Sequence, residues 1–208
     1  MDKLTRLYRI IEEYERARAS LNSRGIDFGQ TEGNGFWTAT RWDHIIPFLE
    51  WSIKNKVLSP PGPVVDAGSG TGEPSAVFNA YGFGPVVNIE LDRRLASAAN
   101  ETIDALVKEG VLGGGITTIE GDFTKDDAYK AAGIPFEGAR YFYHAINSKP
   151  LRDLARRIRE ESPPGTKLIV YGMFDKVFMP HVNGLTLEHK FRTPDLMADF
   201  FVYIVYRK

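Results

Sequence analysis

Apolar side chains recur every three or four positions in two N-terminal segments, and this spacing predicts two amphipathic helices. The first helix carries Leu4, Leu7, Tyr8, Ile11 and Tyr14 on its apolar face and ends near residues 20–24. The apolar face of the second helix consists of Trp42, Ile45, Ile46, Leu49 and Ile53. A polar, glycine-rich loop over 25–35 separates the two helices.

After residue 62 the pattern changes to short apolar runs that alternate with helical spacing. Buried strands are predicted at 63–67, 85–91, 116–120, 140–144 and 167–171. Helices are predicted at 74–81, 93–108, 126–132 and 150–161. This alternation favours a mostly parallel sheet with helices on both faces. The final runs, 185–191 and 200–206, have no helix between them and predict an antiparallel pair at one edge.

Composition narrows the class of protein. The 208 residues suffice for one domain with a large core. The absence of cysteine excludes disulfides, cysteine-ligated metals and thiol nucleophiles. The histidines lack metal-ligand spacing, so no metal is expected. No apolar run approaches the roughly 18 residues of a membrane span, and the first residues lack the apolar segment of a signal peptide. We therefore expect a cytoplasmic protein without a membrane partner.

A formal net charge of −1 leaves no overall positive field that would hold a nucleic acid. The arginines between residues 152 and 159 alternate with acids and are most simply a solvated helix face. They also form a local basic patch, so a nucleic-acid partner stays open but is not favoured.

Residues 64–74, VVDAGSGTGEP, carry the most informative motif. An apolar strand ends at an acid, glycines follow at alternate positions, and proline opens a helix. Glycines allow positive φ and a close approach of a ligand to the backbone, and the helix N-terminus offers unpaired N–H groups. The glycines follow G-x-G-x-G rather than the dinucleotide pattern G-x-G-x-x-G, and the chain contains no P-loop motif.

Three acids follow three successive predicted strands. They are Asp66, Glu90 and Asp122. Taken singly, each acid is equally well explained as a helix cap or a solvated loop charge. Together they line one crevice, because the carboxyl ends of parallel strands meet at the same edge of a sheet. Glu90 lies 20 residues after Gly70, where a carboxylate can accept both hydroxyls of a ribose.

These motifs resemble those of the class I S-adenosylmethionine-dependent methyltransferases, over about residues 63–208. The resemblance implies that S-adenosyl-L-methionine is the cofactor and that Asp66 orients its methionine moiety. Glu90 would then hold the ribose, Leu91 would pack on the adenine, and Asp122 with Phe123 would fix the adenine edge and face. The glycines of the motif, Gly68, Gly70 and Gly72, would make room for the methionine moiety. Ser69, which lies between the first two, is expected to be a cofactor-binding residue as well.

The resemblance also implies an α/β, Rossmann-like, seven-stranded sheet whose last strand is reversed. This agrees with the antiparallel C-terminal pair predicted from the pattern. We expect residues 1–62 to form a helical extension or lid and residues 63–208 to form the cofactor-binding domain. In the extension, Phe36, Trp37 and Thr38 follow the glycine-rich loop and are candidates to fold over the cofactor.

The acceptor is predicted from the end of the fourth strand, residues 143–150. This stretch has a looser likeness to the non-SET protein-lysine methyltransferases, both histone and archaeal, which have an asparagine-bearing element ending in proline. The likeness implies a catalytic role for Asn147. It is partial, since His144 and Ala145 stand where the histone enzymes have asparagines.

Two neighbours of Asn147 are further catalytic candidates. His144 could act as a general base, or it could be a hydrogen-bonded residue that closes the strand. Tyr143 could contribute an aromatic wall that keeps an amine neutral, together with Phe36, Trp37, Phe174 and Phe178. Each of these aromatic residues could equally belong to the core or to a surface loop.

The sequence thus favours a methyltransferase that acts on a protein lysine or another amine. A small-molecule methyltransferase and a non-catalytic module that binds S-adenosylmethionine are the alternatives. A methyl-acceptor substrate, protein or small molecule, is the expected partner.

Overall fold

The computed structural model describes residues 1–26, 40–145, 148–173, 182–193 and 201–208. The helices are α1 (Lys3–Ser23), α2 (Trp42–Lys54), α3 (Glu73–Ala80), α4 (Arg93–Lys108), α5 (Asp126–Ala131) and α6 (Ser148–Glu161). The strands are β1 (Val64–Ala67), β2 (Val86–Glu90), β3 (Ile116–Glu120), β4 (Tyr141–Ala145), β5 (Lys167–Met173), β6 (Thr186–Arg192) and β7 (Phe201–Arg207). A 3₁₀ turn at Phe136–Gly138, which the sequence pattern does not predict, precedes β4.

The seven strands form one sheet in the order β3-β2-β1-β4-β5-β7-β6. Strands β1 to β5 are parallel to one another, whereas β7 is antiparallel to both β5 and β6. The predicted α/β sheet with a reversed last strand is therefore confirmed. The strand order reverses between β1 and β4, and ligands bind outside the carboxyl ends of the strands at such a switch point.

One strand differs from its prediction. The sequence pattern predicts β3 as a buried strand, but it lies at the edge of the sheet and each of its residues is partly or fully exposed. Its sequence, Ile-Thr-Thr-Ile-Glu, has polar residues at the centre, which suits an edge covered on one side only. The prediction of burial is wrong because a short apolar run does not say where in the sheet a strand will lie.

Helices cover both faces of the sheet. On one face α1, α2 and α3 pack into a continuous core with inward side chains of β1, β4, β5 and β7. Phe48 of α2 stacks on Tyr203 of β7 with ring centroids 4.1 Å apart. On the other face α5 and α6 pack against the alternate side chains of the same strands. The N-terminal helices α1 and α2 thus share the main core of the sheet.

None of the helices in the described part of the chain is long and apolar enough to cross a membrane.

Candidate active site

The glycine motif forms the turn between β1 and α3, at the switch point of the sheet. Gly68, Gly70 and Gly72 have φ values of +75°, +57° and +84°, all in the left-handed region that favours glycine. The N–H groups of Gly68 and Ser69 donate to the Ile89 carbonyl at 2.9 and 3.2 Å, which ties the turn to β2. The alternation of glycines in the sequence therefore corresponds to three left-handed positions in one turn.

The turn lies on a floor of buried polar side chains. Asn88 of β2 is the register partner of Asp66 of β1, and Asp66 is the register partner of Tyr143 of β4. A Cβ on Gly72 would lie 2.9 Å from Asn88 Nδ2, so the backbone at Gly72 approaches this floor more closely than any other residue type allows. Gly72 is thus required both for its conformation and for the space.

Asp66 is only 1% exposed, and its Oδ2 accepts a hydrogen bond from the Ser75 hydroxyl at 2.9 Å. Burial raises the pKa of Asp66 to about 8, and the negative charges of Glu73 and Glu90 contribute to the rise. A cationic group near Asp66 would lower this pKa again. The carboxyl therefore favours a positively charged ligand, such as the α-ammonium or sulfonium of a methionine derivative.

Glu90 occupies the end of β2 and is held by backbone donors. Its Oε2 accepts from the Gly70 N–H at 2.7 Å and its Oε1 from the Asp92 N–H at 2.9 Å. Burial raises the pKa of Glu90 as well. Next to it, Leu91 is 54% exposed. A carboxylate beside an exposed apolar side chain suits a ligand with a diol and a flat apolar ring.

Asp122 and Phe123 follow β3, and the Phe123 ring reaches the same turn. Asp122 Oδ1 accepts from the N–H and the hydroxyl of Thr124, at 2.8 and 2.7 Å. The Phe123 ring lies 3.5 Å from the position of a Cβ on Gly68. The carbonyl of Phe123 accepts from the Tyr129 hydroxyl at 2.8 Å. The structure thus brings the third acid and its aromatic neighbour to the crevice.

His144 also adjoins the turn. Its Nδ1 lies 2.6 Å from the Ala67 carbonyl, and its ring centroid lies 5.3 Å from that of Phe123. A carbonyl oxygen only accepts, so Nδ1 donates the proton in this hydrogen bond. His144 is therefore a hydrogen-bonded residue near the end of β4, which is one of the two alternatives that the sequence leaves open.

Tyr143 faces the opposite side of β4 from His144 and belongs to the core that includes α1, α2 and α3. Its hydroxyl lies 3.4 Å from Thr40 Oγ1. Burial holds the pKa of Tyr143 well above its ordinary value, so the hydroxyl stays neutral. It can donate or accept hydrogen bonds, but it does not supply a charge.

Sequence reasoning misses three residues that support the turn, two on α1 and one at the start of α3. The Tyr14 hydroxyl donates to the Gly72 carbonyl at 3.0 Å. Arg18 binds Glu73, the residue after Gly72, through Nε and Nη2 at 3.2 and 3.1 Å. The spacing of Tyr14 on the apolar face of α1 indicates burial but not its hydrogen-bond partner.

Several predicted residues lie outside the described part of the chain. They are Asn147 and the aromatic-lid or aromatic-wall candidates Phe36, Trp37, Thr38, Phe174 and Phe178. Within the described ranges, no group of three or more His, Asp or Glu side chains could hold a metal ion.

A surface cleft of about 420 Å³ lies between α5, α6 and the 3₁₀ turn. Arg157 crosses it, bound to Asp126 and Glu161 at 2.6 Å each and lying 4.1 Å from the centroid of the Phe136 ring. These contacts already satisfy most of the charge in the cleft, and they join α6 to α5.

No protein-family model matches the sequence, and no curated protein is significantly similar to it. Solved structures share its fold at low identity. A mutant of MtNAS in complex with S-adenosylmethionine has a TM-score of 0.58 and 17% identity, covering 78% of this chain and 61% of that chain. TrmN from Thermus thermophilus has a TM-score of 0.59 and 15% identity, and the match covers 76% of this chain and 47% of that chain.

A TehB-like SAM-dependent methyltransferase from Corynebacterium glutamicum has a TM-score of 0.56 and 16% identity, and the match covers 95% of this chain and 97% of that chain. The match thus covers less than two thirds of this MtNAS mutant and of TrmN, but nearly all of the TehB-like protein. MtNAS has also been solved in complex with MTA and tNA. Together with the strand order, these similarities show that the chain has the fold of the class I S-adenosylmethionine-dependent methyltransferases.

Proposed function

We propose that the protein binds S-adenosylmethionine and transfers its methyl group to an amine, with a protein lysine as the favoured acceptor. The observation that carries the cofactor assignment is the arrangement of acids around a single left-handed glycine turn at the switch point: Asp66 precedes the turn, and Glu90 accepts from its Gly70 N–H. Asp122 follows the neighbouring strand β3. Three acids at the ends of neighbouring strands suit a ligand that has a cationic arm, a ribose diol and an exocyclic amine.

Two further observations support the fit to this cofactor. The Ser69 hydroxyl lies buried in the turn and has no hydrogen-bond partner among the described residues. A buried hydroxyl without a partner is costly unless a ligand or water satisfies it. Leu91, half exposed at the end of β2, offers an apolar surface to an adenine ring.

Different residues of the chain would bind different parts of the cofactor. The glycine turn and Asp66 would hold the amino-acid arm, Glu90 would hold the ribose, and Leu91 with Asp122 and Phe123 would hold the base. Bound S-adenosylmethionine supplies a methyl group on a positively charged sulfur, which is open to attack by a neutral amine. His144, which adjoins the turn, would accept the proton that the amine loses. Alignment of the acceptor supplies most of the remaining acceleration.

Calorimetry with S-adenosylmethionine and S-adenosylhomocysteine tests the cofactor assignment. We expect the wild-type protein to bind both, and we expect Asp66→Ala and Glu90→Ala each to weaken binding about tenfold or more, because each removes a carboxyl group that would bind the ligand. Asp127→Ala is the matched control, since the Asp127 side chain is 96% exposed on α5. No binding by the wild type, or equal binding by all variants, would contradict the cofactor assignment.

Incubation with methyl-labelled cofactor and a cell extract tests the acceptor. Label in protein, stable to base and recovered as methyl-lysine, supports the proposal. Label only in small molecules would identify the small-molecule alternative, and cofactor binding without any transfer would identify the non-catalytic one. The nucleoside product adds a further check. S-Adenosylhomocysteine indicates methyl transfer, whereas 5′-methylthioadenosine (MTA), which keeps the methyl group, would indicate transfer of the amino-acid arm instead.

A further inference from the structure

Helix α1 lies against the start of α3 and contacts the glycine turn through one buried hydroxyl. Tyr14 is fully buried, and its hydroxyl donates to the Gly72 carbonyl at 3.0 Å. The same carbonyl accepts the Ala76 N–H at 3.2 Å, which is the first hydrogen bond of α3. Tyr14 therefore fixes the carbonyl at the point where the turn becomes the helix.

A second contact, one helical turn further along α1, involves a buried ion pair. Glu73 is buried at the start of α3, and its Oε1 accepts from Arg18 Nε, Arg18 Nη2 and the Thr71 hydroxyl, the last at 2.7 Å. The Arg18 side chain is itself mostly buried and lies 5.6 Å from the centroid of the Trp42 ring. Arg18 thus joins α1 to α2 and to the turn.

The ion pair matters for the site because Glu73 is one of the charges that raise the pKa of Asp66. A buried carboxylate beside another acid is costly without a partner, and removing one member of a buried pair leaves the other uncompensated. Without Arg18, the negative charge of Glu73 would act in full on Asp66 and on the turn around it. Helix α1 thus supplies the cation that balances the charge of Glu73.

We propose that Tyr14 and Arg18 are positioning residues of the cofactor site, which hold the Thr71–Glu73 side of the turn in the arrangement that receives the amino-acid arm of S-adenosylmethionine. They act through Gly72 and Glu73 rather than by contact with the ligand. This inference rests on the proposed function. It makes α1 a fixed part of the binding site.

The test compares two ligands that share the adenosine and the sulfur but differ in the amino-acid arm. S-Adenosylhomocysteine has the arm, and 5′-methylthioadenosine lacks it. We expect Tyr14→Phe and Arg18→Gln each to weaken binding of S-adenosylhomocysteine about fivefold or more, the effect of one or two lost hydrogen bonds. Binding of 5′-methylthioadenosine should change less than about twofold, because Glu90 and Leu91 are untouched.

Two controls lie on the same helix. Tyr8 is 69% exposed, and Arg16, which is exposed as well, pairs with Glu12 and Glu13 of its own helix. Tyr8→Phe and Arg16→Gln should leave both affinities unchanged. The double variant Arg18→Gln/Glu73→Gln removes the unpaired charge and should recover part of the affinity that Arg18→Gln loses.

The outcomes separate this inference from the proposed function. Wild-type protein that binds neither ligand contradicts the proposed function itself. Wild-type protein that binds both, with Tyr14→Phe binding S-adenosylhomocysteine normally, overturns the positioning role alone. Equal weakening for both ligands also overturns it, since that is the result of general destabilisation. Tyr14→Phe removes one oxygen and leaves the ring in place, so it decides the matter even where Arg18→Gln does not fold.

Discussion

The acids around the glycine turn form two pairs that are held by different kinds of donor. The inner acids, Asp66 and Glu73, lie beneath the turn and bind side chains: Ser75 for the first, Thr71 and Arg18 for the second. The outer acids, Glu90 and Asp122, lie at the ends of β2 and β3. Their donors are backbone N–H groups of Gly70, Asp92 and Thr124, and the Thr124 hydroxyl.

This difference separates stability from recognition within one site. The inner acids depend on side-chain partners, and one of these comes from another element, since Arg18 and Glu73 are 55 positions apart. A single substitution can therefore leave an inner acid without support. The outer acids are supported mainly by backbone groups, which no substitution of a neighbouring side chain removes; the Thr124 hydroxyl is the exception among the donors named. We therefore expect changes near the inner acids to alter the stability of the chain as well as ligand binding, and changes near the outer acids to alter ligand binding alone.

The largest expected effect concerns the protonation of Asp66. Its folded pKa of about 8 lies above the ordinary value of 3.8, so between these pH values the folded chain keeps a proton that the unfolded chain loses. The free energy of unfolding should then fall as pH rises from about 5 to about 8, by up to ~1.4 kcal/mol per pH unit. Urea unfolding of the wild type and of Asp66→Asn between about pH 5 and about pH 8 measures this change in the free energy of unfolding.

The asparagine variant lacks the titrating proton, so its stability should depend less on pH and exceed that of the wild type above pH ~8. Asp127→Asn, at an exposed position on α5, should follow the wild-type curve. Wild-type and Asp66→Asn curves that run parallel would show that Asp66 is ionised at neutral pH in the folded chain.

An intermediate effect is expected for the closest contact of the turn with its floor. Gly72→Ala introduces a Cβ at a φ of +84° and 2.9 Å from Asn88 Nδ2, so we expect a loss of about 2–3 kcal/mol in unfolding free energy. Gly82 has the same φ, and a Cβ there would meet only Pro60 Cβ at 3.9 Å. Gly82→Ala should therefore lose about 1 kcal/mol, from the backbone alone. Equal losses would mean that Asn88 moves aside.

The smallest effect on stability is expected beside the outer acids, at Leu91, the residue after Glu90. Leu91→Ala should change the unfolding free energy by less than about 0.5 kcal/mol, because the side chain is already half exposed. It should weaken S-adenosylhomocysteine binding about threefold to fivefold, through lost apolar contact with the base. The matched control is Leu187→Ala, since Leu187 is 40% exposed on β6, and it should leave binding unchanged. If Leu91→Ala lowered stability without weakening ligand binding, the expectation that changes near the outer acids alter binding alone would be wrong.

Local patterns in the sequence predict most of the fold. Helix α4 has the predicted bounds because Asp92 caps it through the Arg94 N–H and its apolar positions follow a clear helical period. The three acids after the strands can be found because parallel strands bring their carboxyl ends together. The edge position of β3 cannot be found in this way, since it depends on which strands pair across the whole sheet.

The contacts of the inner acids escape prediction for a related reason. The predicted apolar face of α1 correctly places Leu7 and Tyr14 inward, although Leu4 and Tyr8 of the same face are exposed. The spacing does not show that the partner of Tyr14 is Gly72, which lies 58 positions away. Glu73 stands inside the recognised motif, and nothing local indicates that its counter-ion comes from α1. The roles of Asn147, His144 and Tyr143 stay predictions.

The position of β7 between β5 and β6 has a consequence for how the chain folds. Every pairing of β6 in the described sheet is with β7, whose own pairs join Ile169 to Val205 and Phe191 to Tyr203. A ribosome that has made β6 has therefore not yet made the strand that attaches it. Until residue 207 emerges, the apolar edge of β5 stays open to pairing with other chains. The nascent protein is thus most prone to aggregation just before its synthesis reaches the last strand.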